Sequence, residues 1–378
     1  MSGTGTGPLT GIRIVELAGL PAAYGTMLLA GLGADVVKVE PPEGDPLRRL
    51  APLDERAEAP ENSLWFAYVA QGKRSVVVRD EQELERLLAG ADAVVDSSDP
   101  GVHDDLRARH PELVWVSITP YGLDGPYRDR RGSNLVGWAS SGVLYVTGFP
   151  DRPPVAPGGA VQLGYQLTSL HATGALLLAL RARRLDPAHQ GQLVDISVQE
   201  CCLSMAPETG LPLFLDDRVH RDRPGNRRAV TRPFGLYPCK DGHVSFLVLG
   251  PAHWHAMAAW IHETTGNEGI LEEIFADIAV RAEAMEYIDE AVEELCAGLT
   301  KLELFTEAQQ RGIPCTPVNT VADLRADPHL EAVGYFEPTE HPALGAYRRP
   351  GPPFRFDHDW WHLARAPLLG EHTAELLG

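Results

Sequence analysis

The sequence predicts an α/β protein: a mostly parallel sheet with helices on both faces, joined to a second, smaller region. Two observations carry this reading. Short β-branched runs alternate with helix-spaced apolar segments over roughly the first 120 residues, the rhythm of βαβ units. A Pro- and Arg-rich stretch, 207–233, then separates this pattern from a hairpin-like one that begins near Phe234.

The elements follow in order. Ile12–Leu17 is a strand. Ala22–Leu32 is apolar at helical spacing, with Pro21 suited to a first turn. Val36–Val39 is a strand that ends at Glu40-Pro41-Pro42, and Ser75–Val78 is another. Glu81–Leu88 is a helix with acids in its first turn, and Ala93–Val95 and Val114–Ile118 are further strands. Ser169–Arg184 reads as a long buried helix whose basic end, Arg181, Arg183 and Arg184, suits the helix dipole. Leu193–Val198 is a strand. Leu236–Leu249 is a hairpin turning at Lys240-Asp241-Gly242. Trp254–His262 and Met285–Leu299 read as helices, the tail from Tyr335 is Pro- and aromatic-rich, and Ala374–Leu377 closes with a short helix. In such a sheet, ligands are expected at the carboxyl ends of the strands.

Composition excludes several classes. The net charge of −19 disfavours nucleic-acid and anionic-membrane partners, which attract cations. No apolar run reaches the roughly 18 residues of a membrane span. The N-terminal Met-Ser-Gly-Thr-Gly-Thr-Gly lacks the basic and apolar blocks of a signal peptide. Cys201, Cys202, Cys239, Cys296 and Cys315 form no CxxC pair and read as reduced thiols, which points to the cytoplasm.

Three weaker features have functional readings. Gly19, Gly25 and Glu40 have the spacing of a dinucleotide site, but Pro21 stands where a second glycine would admit the pyrophosphate; a plain strand-to-helix turn explains them better. His358 and His362 have metal-like i,i+4 spacing, but Pro, Trp and Asp around them weaken a helix, so no metal is expected. Arg218, Arg221, Arg223, Arg227, Arg228 and Arg232 are an unusual basic cluster in an acidic chain. They are either a solvated linker or an anion clamp for carboxylate or phosphate.

Several segments resemble the family III CoA-transferases, the CaiB/BaiF-type group that includes formyl-CoA transferase, carnitine CoA-transferase and α-methylacyl-CoA racemase. They are Pro8–Leu17, Leu32–Pro42 with Gly44-Asp45 and Arg48, Gly72-Lys73-Arg74-Ser75 and Asp124-Gly125-Pro126-Tyr127. Ser141-Gly142 through Thr147-Gly148, Gly191–Ser197, Gly312-Ile313-Pro314 with Pro317-Val318-Asn319, Asp327–Leu330 and Leu369–Thr373 continue the match in order. The resemblance implies a large Rossmann-like domain built from both chain ends, a smaller α+β domain and two subunits threaded into an interlocked dimer. The expected boundaries are 1–205 for the first part of the large domain, 206–233 for a linker, 234–330 for the small domain and 331–378 for the return to the large one.

The resemblance also identifies what has changed. Family transferases carry a nucleophilic aspartate after Leu-Gly at the head of the long helix. It forms a mixed anhydride with the donor acyl group and then an aspartyl-CoA thioester. The racemases use an aspartate there as acid/base, paired with a histidine. Here the segment reads Leu163-Gly164-Tyr165-Gln166, and neither Tyr165 nor Gln166 can form an anhydride. The family's Tyr or His followed by an acid is Ser133-Asn134. Its Glu-Asn-Phe-Arg-Pro-Gly beside the CoA adenine is Asp96-Ser97-Ser98-Asp99-Pro100-Gly101, and Asp105 replaces a following cation. Lys73 and Arg131 survive as basic positions. The substrate-binding residues expected are Lys73, Arg131, Asn134, Gln166, Arg227 and Arg228. No cofactor is expected beyond coenzyme A as a co-substrate.

Three functions remain open: an acyl-CoA or carboxylate enzyme of this family with non-standard chemistry, a non-catalytic subunit of a heterodimer whose sister chain carries the aspartate, or a fold reassigned to a carboxylate without CoA.

Overall fold

The computed structural model describes residues 7–156, 162–205, 223, 225–227 and 230–378. They fall into two compact units. One takes Met1–Leu144, Ala156–Val219 and Glu331–Gly378, and the other takes Tyr145–Val155 and His220–Leu330.

The first unit is built on six parallel strands: β1 (Arg13–Leu17), β2 (Asp35–Glu40), β3 (Arg74–Val77), β4 (Ala93–Asp96), β5 (Val114–Thr119) and β6 (Leu193–Ser197). Their spatial order is β3-β2-β1-β4-β5-β6, so the order reverses between β1 and β4. The central strands β4 and β5 are buried along their whole length. This is why they read as near-continuous apolar runs and not as alternating ones. The mixed α/β class expected from the sequence is therefore the observed one.

The crossovers carry helices α1 (Leu20–Gly31), α2 (Leu64–Val69), α3 (Glu81–Leu88), α4 (Asp104–Arg109), α5 (Asn134–Ser140) and α6 (Leu163–Leu185), with α7 (Val198–Ser204) after β6. Local chemistry starts several of them. Ser63, Asp80, Ser133 and Ser197 accept side-chain bonds from the first-turn amides of α2, α3, α5 and α7. Helices α1 and α6 approach closely at Gly25, where a Cβ would stand 2.1 Å from Thr173 Oγ1 and 2.5 Å from the Ser169 carbonyl. The Gly25 amide donates to Ser169 Oγ at 2.6 Å, and that hydroxyl donates to the Ala22 carbonyl at 2.7 Å. This contact fixes the height of α6 over the sheet.

A buried ion network ties three adjacent strands. Glu16 on β1 is fully buried and faces Lys38, its register partner on β2, at 3.2 Å, and Lys73, next to β3, at 2.7 Å. Lys38 also reaches Asp45 at 2.7 Å, and Arg48 forks onto Glu40 at 2.6 and 2.8 Å. Burial opposes charge on Lys38, but Glu16 and Asp45 outweigh it and raise its pKa. For Lys73, burial wins over Glu16 and pushes the pKa down to about 8. Glu40 binds Arg48, the Asp45 amide and Ser75, so its carboxylate is a structural acceptor and does not await a ribose.

The structure departs from the expected elements at the start of α6 and in the Pro-rich tail. Helix α6 begins at Leu163, six residues before the expected start (Ser169 in the sequence reading), because its first turn is supported from outside the segment. The Pro-rich tail contains an antiparallel pair, β10 (Phe336–His341) with β11 (Gly345–Pro350), whose Pro338 and Pro350 hid the strand pattern. Residues 358–362 are not helical, in keeping with the weak helix pattern there. His358 stacks on Trp360, and His362 bonds the Asp359 carbonyl, so the two rings share no helix face.

The second unit holds β7 (Phe234–Cys239), β8 (Gly242–Leu247) and β9 (Cys315–Pro317) in one antiparallel sheet. Helices Pro251–Thr265, Met285–Ala297 and Lys301–Gln310 accompany it. Its core includes Trp254, Trp260, Ile288 and Phe246. Arg281, fully buried, donates to the carbonyls of Arg232, Leu249, Phe275 and Ala276 and stacks over Trp254. All five cysteines are free thiols. Among the described residues no helix is long and apolar enough to cross a membrane.

Removing the Glu16 carboxylate leaves buried Lys73 without an acid and Lys38 with Asp45 alone. Glu16→Gln is therefore expected to cost about 3–5 kcal/mol, read as a lower urea midpoint. A variant with an unchanged midpoint would show that the network does not hold the sheet.

Candidate functional site

The head of α6 is assembled from segments far apart in sequence. The Gln162 side chain makes no cap there, and the first turn holds no acid. Asn134, the first residue of α5, supplies the missing acceptor: its Oδ1 takes the Tyr165 amide proton at 3.1 Å. A Cβ on Gly164 would stand 2.9 Å from that oxygen and 3.0 Å from Trp138 Nε1, so this close packing requires glycine. The Trp138 indole N–H is buried without a hydrogen-bond partner. The Tyr165 ring packs against the core shared by α1, α6 and the sheet. Burial raises its pKa and outweighs the Asn134 contact, so the phenol is neutral at ordinary pH. Such a site can donate or accept a hydrogen bond, but it offers no carboxylate for acyl transfer.

The other residues singled out from the sequence lie in different surroundings. Gln166 follows Tyr165 on α6 and is half-buried, and Arg131 is exposed just before α5. Lys73 is buried, donating to Glu16, the Ala23 carbonyl at 3.0 Å and Thr26 Oγ1 at 2.8 Å, so its ammonium faces inward. Arg227 belongs to the second unit, pairing with Asp289 at 3.0 Å and with Glu293 while stacking over Tyr237. Arg232 also pairs with Asp289, at 2.8 Å, and Arg223 donates to the carbonyls of Tyr145, Phe149, Pro150 and Arg152. The three described arginines of the basic cluster are thus bound to local acceptors. Arg218, Arg221 and Arg228 lie outside the described residues.

A second group of polar side chains sits where the strand order reverses. There the Gly19 amide, at the head of α1, donates to Ser97 Oγ at 3.0 Å. Asp96, the last residue of β4, meets His103 Nδ1 at 2.7 Å and accepts the Ser98 amide at 2.9 Å. Asp96, Ser98, His103, Arg107, Trp115 and Ser117 line a small pocket, open to solvent, with about 20 Å3 of space for water. The sequence reading noted Asp96 but missed His103. The signal was a lone histidine seven positions on, in the loop that leads to α4. Arg107 is paired with Asp104 at 3.2 Å, and Asp99 and Asp105 add negative charge nearby in the chain. Among the described residues no group of three or more His, Cys, Asp or Glu is placed to hold a metal ion.

The Asp96–His103 pair shifts both partners. The hydrogen bond to Asp96 raises the His103 pKa against the effect of burial. Burial opposes charge on Asp96, but its bonds to His103 and Ser98 outweigh it and lower the pKa. The stability from His103 is fully present below the unfolded imidazole pKa and is lost as pH rises through the raised folded value. That from Asp96 is present above the unfolded carboxyl pKa and is lost as pH falls through the lowered one. The stability gap between the natural chain and His103→Gln should therefore be larger at about pH 5 than at about pH 8.5. Urea titrations at the two values check this, and an equal gap would remove the ion pair from the account.

Comparison with known proteins fits this architecture. Residues 9–373 match the model of CoA-transferase family III. The BbsE subunit of succinyl-CoA:(R)-benzylsuccinate CoA-transferase from Thauera aromatica is 32% identical, over 97% of this chain and 92% of that protein. The alpha subunit of succinyl-CoA–L-malate CoA-transferase from Chloroflexus aurantiacus is 29% identical, over 100% of this chain and 90% of that protein. The crystal structure of a CaiB/BaiF family protein from Brucella suis superposes with a TM-score of 0.83 at 29% identity, covering 98% of each chain. The match from the first strand to the last helix shows that this chain belongs to CoA-transferase family III.

Proposed function

We propose that this chain handles acyl-CoA and carboxylate substrates at the head of α6 without forming the family's aspartyl intermediates. The observation that carries this is Tyr165, a neutral, half-buried phenol in a first turn that has no acid. A phenol is too weakly acidic at neutral pH to replace an ionised carboxylate as nucleophile, but it can hydrogen-bond a thioester or carboxylate oxygen. Tyr165, Asn134 and Gln166 are the contact residues in this reading, with Arg131 as the exposed cation nearest α5 in sequence. The named relatives pair succinyl-CoA with benzylsuccinate or L-malate, an acyl-CoA with a carboxylic acid in each case.

The second reading is a non-catalytic subunit, interlocked with a sister chain that supplies the aspartate. It is favoured by the same two relatives, both named as subunits. It is also favoured by electrostatics: Lys73 is turned inward onto Glu16, and Asp96, Asp99 and Asp105 occupy a region where a phosphate-rich ligand needs cations. Under this reading the chain preserves the dimer and shapes the site, while its own α6 head carries no covalent step.

Trapping tests the proposal. After incubation of the chain with succinyl-CoA, hydroxylamine followed by mass spectrometry should reveal no hydroxamate on any Asp or Glu, and Tyr165→Asp alone should create none. A trapped carboxylate in the natural chain would overturn the proposal. Co-expression with an aspartate-bearing sister chain separates the two readings. Transfer that survives Tyr165→Phe supports the non-catalytic subunit, whereas a loss of about tenfold or more assigns the phenol a direct contact.

A further inference from the structure

Residues 363–372 lie outside any helix or strand, yet they are tied to the first unit at many points. The Gly72 amide donates to the Ala364 carbonyl at 3.1 Å, and Arg48 reaches the Pro367 carbonyl at 3.3 Å. The Leu369 amide donates to Glu61 Oε1 at 2.8 Å and the Gly370 amide to Ser75 Oγ at 2.8 Å. The His372 amide then donates to the Ser75 carbonyl at 3.0 Å, and Thr373 Oγ1 accepts the Val77 amide at 2.9 Å. The segment is a strap that satisfies backbone groups of β3, an edge strand, and leads into the closing helix Thr373–Leu377.

Two histidines with buried ring nitrogens flank this strap. His341, at the end of β10, is 3% exposed, and its Nδ1 accepts the amide protons of Ala343 and Leu344 at 3.2 and 3.3 Å. An amide N–H only donates, so Nδ1 carries no proton in the folded chain. A hydrogen bond with the Ala366 backbone joins the same ring to the strap. His372 belongs to the strap itself, and its Nδ1 is buried without a hydrogen-bond partner. A proton added to His341 would set a donor against two donors. A charged His372 would carry a buried N–H that nothing accepts.

The surrounding charges do not rescue the protonated rings. Arg365, Glu61 and Glu371 face His341, and Glu371, Arg74, Glu375 and Arg365 face His372. Glu371 bonds Arg365 at 2.6 Å, which holds its pKa down to about 2, so it stays ionised where histidines titrate. Burial, and after it Arg365, still lowers the His341 pKa, and burial outweighs Glu371 to lower that of His372. We infer that His341 and His372 form an acid-sensitive latch: protonating both rings releases residues 363–377 from β3 while the rest of the sheet stays folded.

In a released strap a histidine titrates near its ordinary value of about 6.5. The latch is therefore whole above that value and weakens as pH falls toward the lowered values of the held rings. One proton shifts the opening equilibrium by about tenfold per pH unit, and two by about a hundredfold. Amide hydrogen exchange of the full chain, read by mass spectrometry and corrected for intrinsic rates, tests this between about pH 8 and about pH 5. Protection over residues 363–377 should be level down to about pH 6.5 and then fall by more than about tenfold per unit, while β4 and β5 keep theirs. His341→Asn keeps an acceptor for the two amides, and His372→Phe keeps a flat ring. Each should cut the fall to about tenfold per unit or less, and the double variant should make it level. If one variant does not fold, the other carries the same test. A fall of about tenfold per unit or less in the natural chain, an undiminished fall in a folded variant, or a loss shared equally by β4 and β5 would each overturn the inference.

Discussion

One buried carboxylate organises the first unit. Glu16 sits on the central strand β1 between two ammoniums, Lys38 on β2 and Lys73 at the entry to β3. Because Glu16 and Lys38 are register partners, the pair also selects the alignment of their strands. A slip of one residue would turn Glu16 to the opposite face and leave charge in an apolar layer. Asp45 and the Glu40–Arg48 fork extend the same logic to the segment after β2. Such a network is costly to desolvate, so its worth lies in how badly the alternatives fare and less in net stabilisation.

This arrangement has a functional consequence. The Lys73 ammonium, a ligand-binding candidate from the family resemblance, donates here to Glu16, the Ala23 carbonyl and Thr26. At the carboxyl end of β4 the side chains are acidic or paired: Asp96 with His103 and Arg107 with Asp104. At the head of α6 they are neutral. The two clusters thus differ in chemistry: one holds an Asp–His ion pair, the other uncharged hydrogen-bonding groups. Neither presents a nucleophilic carboxylate beside the first turn of α6.

The position of Tyr165 follows from packing. Gly25 lets α1 approach α6, which fixes the helix over the sheet. Gly164 lets Asn134 and Trp138 of α5 close against its first turn. The Asn134 side chain then satisfies the Tyr165 amide, one of the donors that a helix start leaves unpaired. The backbone at position 165 is held by contacts that depend on two glycines and an asparagine, while the Tyr165 ring packs against the core.

The sequence by itself determined the βαβ alternation, the strands and the helix Glu81–Leu88, because apolar periodicity and end residues are local properties of the chain. It also determined the family, through motifs spread from Pro8 to Thr373. It could not show that α6 begins at Leu163, because the supporting acceptor comes from Asn134, 31 residues earlier. Nor could it show that Lys73 faces Glu16, that Arg227 and Arg232 are neutralised by Asp289, or that His103 pairs with Asp96. Composition counts charges, but only the folded chain decides which of them meet, since burial and distance set whether a cation remains free for a ligand.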